Sequence, residues 1–246
     1  MHDDVIALLS KAAALARPPI SNFRVGAIAR GASGKLYFGT NVEFAGEALS
    51  FTVHAEQSAV VNAWMSGETG IDLVGTSAAP CGYCRQFLNE LATAGDLTVV
   101  MPGESRKLSE LLPSSFGPRD LGITGGLLQR DDHGLAIDEG DELAQAALAA
   151  ANLSYAPYSK SYAGVALRTR DGAVVSGAYA ENAAFNPSLS PLQAALSQLN
   201  LRGGEWSDIA ECVLVRVDPL HDNATRLLLA AIGDASLRIL QARNSA

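Results

Sequence analysis

His54, Glu56, Cys81 and Cys84 are the residues of this chain whose types and spacing best suit chemistry. The run His54-Ala55-Glu56 is followed, 24 residues after Glu56, by Pro80-Cys81-Gly82-Tyr83-Cys84. Pro80 suits the opening of a helix, and cysteines three apart on that helix share one face. A helix N-terminus lowers a thiol's pKa, so both cysteines are expected as thiolates. One imidazole and two thiolates form a soft donor set for Zn²⁺, with a formal charge near zero once bound. The remaining histidines, His2, His133 and His221, have no motif spacing to these residues. Three ligands leave one position for water, whose pKa zinc lowers to roughly 7. Glu56 stands two residues from His54 and cannot point the same way from a regular helix. The expectation is therefore His54 at the helix start, with the Glu56 carboxylate reaching over the metal from the first turn. Blander readings exist: a CxxC is also a redox pair, which leaves His54 and Glu56 unused, and a glutamate at a helix N-terminus is favourable charge. Cys212, in the apolar run Cys212-Val213-Leu214-Val215, reads as a buried thiol, and His133, in Asp131-Asp132-His133-Gly134, as a solvated turn residue.

The elements that must position these residues occur twice. A shift of 138 aligns Pro19 with Pro157, Ser21 with Ser159, Gly26 with Gly164, Gly34 with Gly172, Gly39 with Gly177 and Glu43 with Glu181. Such turn and close-approach residues are the ones that backbone geometry restricts most. Two copies of one unit follow, about 1–112 and 138–246, joined by a connector (113–137) rich in Pro and Gly. Each copy opens with a helix (about 3–16 and 139–153), with Asp3 or Asp141 near its start. Two short strands come next, near 24–30 and 35–42, and near 163–169 and 173–180, with Gly34 and Gly172 at the hairpin turns. A helix at about 54–66, a strand near 71–78, a helix at 81–93 and a strand near 97–101 complete the first copy. Strands alternating with helices predict an α/β layered fold. The same shift places Leu192 at the position of His54, Ala194 at that of Glu56, and Pro219 to Asn223 where the cysteines would fall.

Composition narrows the function classes. With 246 residues, 48% of them hydrophobic and 18% charged, the chain has ample material for a core, which excludes a disordered protein. Its longest apolar stretches, Glu142 to Leu153 and Arg226 to Ile232, are too short and interrupted to span a bilayer. Met1-His2-Asp3-Asp4 lacks a signal peptide's basic start, and three cysteines are too few for a disulfide framework, so a reduced, cytoplasmic protein is expected. The net charge of −8, with Arg168-Thr169-Arg170 the densest basic patch, argues against a nucleic-acid partner and for a small substrate.

The pattern H-x-E…P-C-x-x-C is the signature of zinc deaminases, and more of the chain resembles the cytidine deaminases of the two-domain bacterial and plant type. The resemblance is carried by Ser21-Asn22-Phe23-Arg24-Val25-Gly26-Ala27, Asn41-Val42-Glu43, Thr52-Val53-His54-Ala55-Glu56-Gln57 and Pro80-Cys81-Gly82-Tyr83-Cys84-Arg85-Gln86-Phe87. It continues through Leu112-Pro113-Ser114-Ser115-Phe116-Gly117-Pro118 and Glu181-Asn182-Ala183-Ala184-Phe185-Asn186-Pro187. It implies a three-layer α/β/α cytidine-deaminase-like fold with a mixed sheet, duplicated as a catalytic N-terminal copy and a degenerate C-terminal one. It implies one zinc per subunit on His54, Cys81 and Cys84, with Glu56 as proton shuttle. Asn41 and Glu43 resemble the pair that holds the ribose hydroxyls, although a strand end with a polar turn is their plainer reading. Phe23 resembles an aromatic that contacts the pyrimidine, with a core Phe as the alternative. Val42 and Ala55 fall in the same nucleoside pocket. Phe116 resembles a residue inserted into a neighbouring subunit's site, while a loop Phe after Leu-Pro is more often simply packed. The implied reaction is hydrolytic deamination of cytidine and deoxycytidine, as in pyrimidine salvage, by a homodimer whose partner subunit completes the site. Rival readings are a zinc deaminase of a nucleotide, free base or polynucleotide, or a non-catalytic zinc-stapled nucleoside-binding module.

Overall fold

A computed structural model describes residues 2–129 and 132–244, the side chains of residues 2–7 excepted, so the expectation about Asp3 lies outside the described side chains. The first repeat forms α1 (His2–Ala14), β1 (Gly26–Gly31), β2 (Leu36–Thr40), α2 (Ala55–Met65), β3 (Ile71–Thr76), α3 (Gly82–Leu88), β4 (Thr98–Met101), β5 (Glu104–Lys107) and a short α4 (Leu108–Leu111). After β6 (Leu135–Ala136), the second forms α5 (Glu142–Leu153), β7 (Ala163–Thr169), β8 (Val174–Ala178), α6 (Pro191–Leu201), β9 (Ile209–Arg216), α7 (Asp222–Ile232), β10 (Ser236–Gln241) and β11 (Arg243–Asn244). Asp141 caps α5 by accepting the Ala144 N–H at 2.9 Å.

The five-stranded first sheet runs β2-β1-β3-β4-β5 and the four-stranded second one β10-β9-β7-β8, while β6 and β11 pair separately. Within each, the hairpin pair and its next neighbour are antiparallel, and the following strand, β4 or β10, is parallel. Both sheets are therefore mixed, as expected. The layers follow from the pleat. Gly39 lies opposite Ala27 in the β1–β2 ladder, so it faces away from Gly26, the neighbour of Ala27. A Cβ on Gly26 would meet Leu9 and Ala13 of α1, and one on Gly39 would meet Ala55 and Ala59 of α2. The two helices thus cover opposite faces of one sheet. Gly164 against α5 and Gly177 against α6 repeat the arrangement. The cores are correspondingly apolar: Leu9, Ile28, Leu73 and Val100 in one sheet's cover, and Leu143, Ala147, Ala166, Val213 and Val215 in the other's.

That close approach yields a prediction. A Cβ at position 39 would sit 2.2 Å from Ala59 N and 2.3 Å from Ala55 O, both backbone atoms of α2. Gly39→Ala must push the helix off the sheet, at a cost of about 1–3 kcal/mol or more. Calorimetry should record a lower melting temperature together with lower activity, because α2 carries Glu56.

The chain divides into two compact units, and neither is continuous in sequence. The first comprises Met1–Glu43, Thr52–Gln129 and Glu181–Ser188; the second comprises Phe44–Phe51, Arg130–Ala180 and Leu189–Ala246. Each unit thus includes a strap of about eight residues from the other repeat's stretch of sequence. In the second unit, Phe44 is buried beside Trp206, and Gln193 Nε2 donates to Phe51 O at 2.8 Å.

Four sequence expectations change. The helix expected over 81–93 ends at Leu88, because Leu127 N–H donates to Glu90 O and Ala92 N–H to Leu127 O, drawing the chain into an extended pairing. The 138-residue shift also fails at the helix that follows each strap, although the registers of β3 and β9 restore it. The bridges Val42↔Val53 and Ala180↔Leu189 leave the second connection two residues shorter. The N-caps His54 and Ser190 are therefore equivalent, and Glu56 corresponds to Leu192. His133 is not a solvated turn residue: it stacks on Tyr162 at 3.6 Å and its Nε2 lies 2.6 Å from Ser154 O. The fourth concerns the two thiols of the site, described below. Cys212 is buried in β9, and that burial pushes its thiol up to about 12.

Candidate active site

A buried β-bridge assembles the first half of the site. Val42 and Val53 exchange both backbone hydrogen bonds at 2.9 Å, which sets Asn41 and Glu43 on one segment against the segment leading into His54. His54 is the N-cap of α2, with extended backbone (φ −78°, ψ 154°), and its N–H donates to Gln57 Oε1 at 3.1 Å. Ala55 and Glu56 are the first two helical residues. The change from extended to helical backbone frees the imidazole to leave in a direction of its own, which resolves the two-residue spacing of His54 and Glu56. Cys81 is likewise an N-cap, of α3 (φ −69°, ψ 169°), with Cys84 in the first turn. Pro80 precedes that cap, and its carbonyl accepts from Arg85 Nε at 2.8 Å.

The three donors converge. Cys81 Sγ and Cys84 Sγ are 3.6 Å apart, and His54 Nδ1 lies 3.6 Å from the first and 3.3 Å from the second. A tetrahedral zinc with bonds of about 2.3 Å to sulfur and 2.05 Å to nitrogen requires S–S and S–N edges of about 3.8 and 3.6 Å. The donor triangle fits zinc. Among the described residues, this is the group of His, Cys, Asp or Glu side chains able to hold a metal, with all ligand atoms within 4.8 Å. Glu56, buried, receives a hydrogen bond from Cys84 Sγ on Oε2 at 3.2 Å.

Electrostatics point the same way. The contact between the two sulfurs chiefly, and the backbone N–H groups of Cys84 and Tyr83, lower the Cys81 thiol to about 5. Cys84 is not the ready thiolate expected from its helix turn. Its contact with the Cys81 sulfur first, then burial and the Glu56 carboxylate, push it far up. Burial also raises the Glu56 carboxyl. Two sulfurs and a carboxylate crowded this closely, two of the three buried, cannot all carry charge unaided, and a divalent cation is what relieves the conflict.

Asn41 and Glu43 brace the loop before β1 and retain capacity for a ligand. Asn41 Nδ2 donates to Phe23 O and its Oδ1 accepts from Val25 N, both at 2.8 Å, which leaves one N–H and one lone pair. Glu43 accepts from Ile20 N, Ser21 N and Ser21 Oγ, three of about four acceptor positions on a carboxylate. Burial is the largest single influence on Glu43 and raises it, but these hydrogen bonds together hold it below the usual carboxylate value. Phe23 is 61% exposed, so it is no core residue, and Phe116 is 48% exposed. The Phe116 carbonyl accepts from Gln86 Nε2 at 2.8 Å and Asn89 Nδ2 at 3.1 Å, which ties its loop to the helix that bears Cys84. Val42 and Ala55 are buried and contribute their backbones to the bridge and to the start of α2. Sequence reasoning gave no part to Gln57 or Tyr83, because their partners, the Pro187 and Asn186 carbonyls, lie more than a hundred residues away.

Residues 1–101 match a family model described as the cytidine and deoxycytidylate deaminase zinc-binding region, and residues 108–224 match a second model of the same description. A cytidine deaminase of Cronobacter sakazakii is 50% identical over 246 residues, covering 98% of this chain and 83% of the relative. The chain belongs to the cytidine deaminase family. A cytidine deaminase of Photobacterium profundum is 54% identical over 228 residues, covering 90% of this chain and 77% of that relative. A solved cytidine deaminase structure from Burkholderia pseudomallei is 31% identical, covers 47% of this chain and 99% of that chain, and has a TM-score of 0.42. As a member of this family, the chain has zinc as its cofactor, consistent with the donor triangle in the first unit.

Proposed function

We propose that this chain deaminates cytidine and deoxycytidine hydrolytically, giving uridine or deoxyuridine and ammonia, with one zinc held by His54, Cys81 and Cys84. The protein is a zinc-dependent cytidine deaminase. The observation that carries the residue roles is the Glu56 carboxyl, buried and in contact with Cys84 beside a three-donor metal site. Zinc, when bound there, supplies a water that ionises near neutral pH. With a nucleophilic water so supplied, Glu56 would accept its proton and hand that proton to N3 of the pyrimidine. It would then carry the proton of the new C4 hydroxyl to the departing amine, leaving the C4 carbonyl, so that water and substrate balance against product and ammonia. Its low-dielectric surroundings favour this shuttling, since burial brings a carboxyl's proton affinity closer to that of its partners.

Asn41 offers an N–H and a lone pair, and Glu43 an acceptor, to the ribose hydroxyls. Phe23 presents its ring to the pyrimidine, with the backbones of Val42 and Ala55 lining the pocket. The N-terminal copy is the catalytic one. The second copy has Ser190 and Leu192 where the first has His54 and Glu56, and is a scaffold. The subunits pair as a homodimer in which Phe116, exposed on its tethered loop, helps to complete the partner's pocket. The protein acts in the cytoplasm; among the described residues, no helix is long and apolar enough to cross a membrane.

Ammonia release from cytidine, cytosine, cytidine monophosphate and a single-stranded oligonucleotide tests the assignment. Arg168 and Arg170 are paired with Glu211 and Asp234, so this basic patch is already engaged. Cytidine is expected to exceed cytosine in kcat/KM by about 10³-fold or more, because the sugar contacts help to orient C4 over the metal. A higher kcat/KM on any of the other three substrates refutes the nucleoside assignment.

A further inference from the structure

The zinc-ligand histidine is backed by a chain of contacts that ends on the strap at 181–188. The Tyr83 ring stacks on the His54 imidazole, with centroids 4.9 Å apart and planes 24° from parallel. Its hydroxyl donates to the Asn186 carbonyl at 2.9 Å. Beside it, Gln57 Nε2 donates to Pro187 O at 3.0 Å while Gln57 Oε1 receives the His54 N–H. Gln57 also interacts with the Tyr83 hydroxyl, partly offsetting the rise that burial imposes on it. The strap itself is held on α3: Asn182 Nδ2 donates to Gln86 O at 3.1 Å, and Ala183 N–H donates to the buried Glu90 at 2.9 Å.

The second unit separates what is architectural here from what serves the metal. Gln193, the counterpart of Gln57, makes the same bond to a strap carbonyl, that of Phe51, in a unit whose helix cap is Ser190 and not histidine. The glutamine clamp therefore belongs to the fold. By the shift of 138 that the registers of β3 and β9 share, Tyr83 corresponds to His221, which packs edge-on against Tyr179 at 4.3 Å. The stacked, strap-anchored ring belongs to the unit with the ligand histidine.

We propose that Tyr83 is a positioning residue for the metal site: its ring, anchored through the hydroxyl to the Asn186 carbonyl, holds the His54 imidazole with Nδ1 turned toward Cys81 and Cys84. Metal-ligating histidines depend on such outer contacts for ring orientation, and losing one typically weakens metal binding by about 10- to 100-fold. The inference rests on the zinc assignment above.

The test uses the full chain loaded with zinc or cobalt(II). Tyr83→Leu removes the ring, Tyr83→Phe removes only the hydroxyl, and Gln193→Leu cuts the equivalent clamp of the second unit, whose helix cap is Ser190. Zinc affinity is read by competition with a chromophoric chelator, and site geometry from the thiolate-to-cobalt and d–d absorption bands. Tyr83→Leu is expected to weaken zinc about 10- to 100-fold and to shift the cobalt bands. Tyr83→Phe should show a smaller effect in the same direction. Gln193→Leu should lower the melting temperature without changing affinity or spectrum. If Tyr83→Leu is insoluble, Tyr83→Phe decides the matter by its spectrum and affinity. Both Tyr83 variants matching the wild type within twofold in affinity, with unchanged bands, overturns the proposal. Lower melting alone also overturns it, as the mark of a purely structural residue. A wild type with no thiolate-to-cobalt absorption refutes the metal assignment and this inference together, whereas unaffected variants beside a normal wild type refute this inference alone.

Discussion

Glu56→Gln retains one zinc per chain and loses about 10³-fold or more in kcat. The glutamine side chain has the same shape and keeps an oxygen able to accept the Cys84 contact, so the donor triangle should survive. It cannot take up a proton at neutral pH, and general acid–base catalysis is worth about 10²–10⁴-fold for each group so used. Glu56 serves more than one transfer in the proposed sequence, which puts the loss at the upper end. Metal analysis together with steady-state rates on cytidine checks this. Near-normal turnover in a zinc-replete variant would exclude the shuttle role. A loss of zinc in parallel with rate would instead identify Glu56 as part of the metal's binding site.

Removing the metal has an effect at least as large. Stripping zinc with a strong chelator is expected to lower the rate roughly 10⁴-fold or more, since water without the ion ionises only near pH 15.7. One equivalent of zinc per chain should restore activity. Cys81→Ala should mimic the stripped protein and resist restoration, because two remaining donors no longer enclose the ion. The metal-free protein should also melt earlier: a ligand at 100 times its Kd adds about 2.7 kcal/mol to the folded state. Relief of the crowded Cys81, Cys84 and Glu56 charges acts in the same direction. Full turnover after complete zinc removal would end the metal-dependent account. So would loss of activity that zinc fails to restore, if circular dichroism shows the fold intact.

The chemistry was legible because it depends on residue types at short range. His54-Ala55-Glu56 and Pro80-Cys81-Gly82-Tyr83-Cys84 each lie at a helix start, where the local backbone sets which side chains within one motif share a face. The repeat was legible through Gly26, Gly39, Gly164 and Gly177, since a helix backbone packed against a strand leaves no room for a Cβ. What the shift of 138 could not reveal was the shortened connection of the second copy. A deletion within a loop leaves no periodic trace, and only the paired bridges at Val42 and Ala180 expose it.

Long-range matters were decided by the tertiary structure alone. That 181–188 belongs to the first unit, and that the Asn186 and Pro187 carbonyls secure Tyr83 and Gln57, involves partners more than a hundred residues apart. Backbone carbonyls are the same in every residue, so no sequence pattern advertises them as partners. The ionisation of the two cysteines was likewise set by packing. Their shared helix turn favours thiolate at both, but burial of Cys84 against Cys81 and Glu56 makes the pair unequal. Side-chain type determined which atoms can bind a metal; the three-dimensional neighbourhood determined their charge and aim, because both depend on distances that only the folded chain establishes.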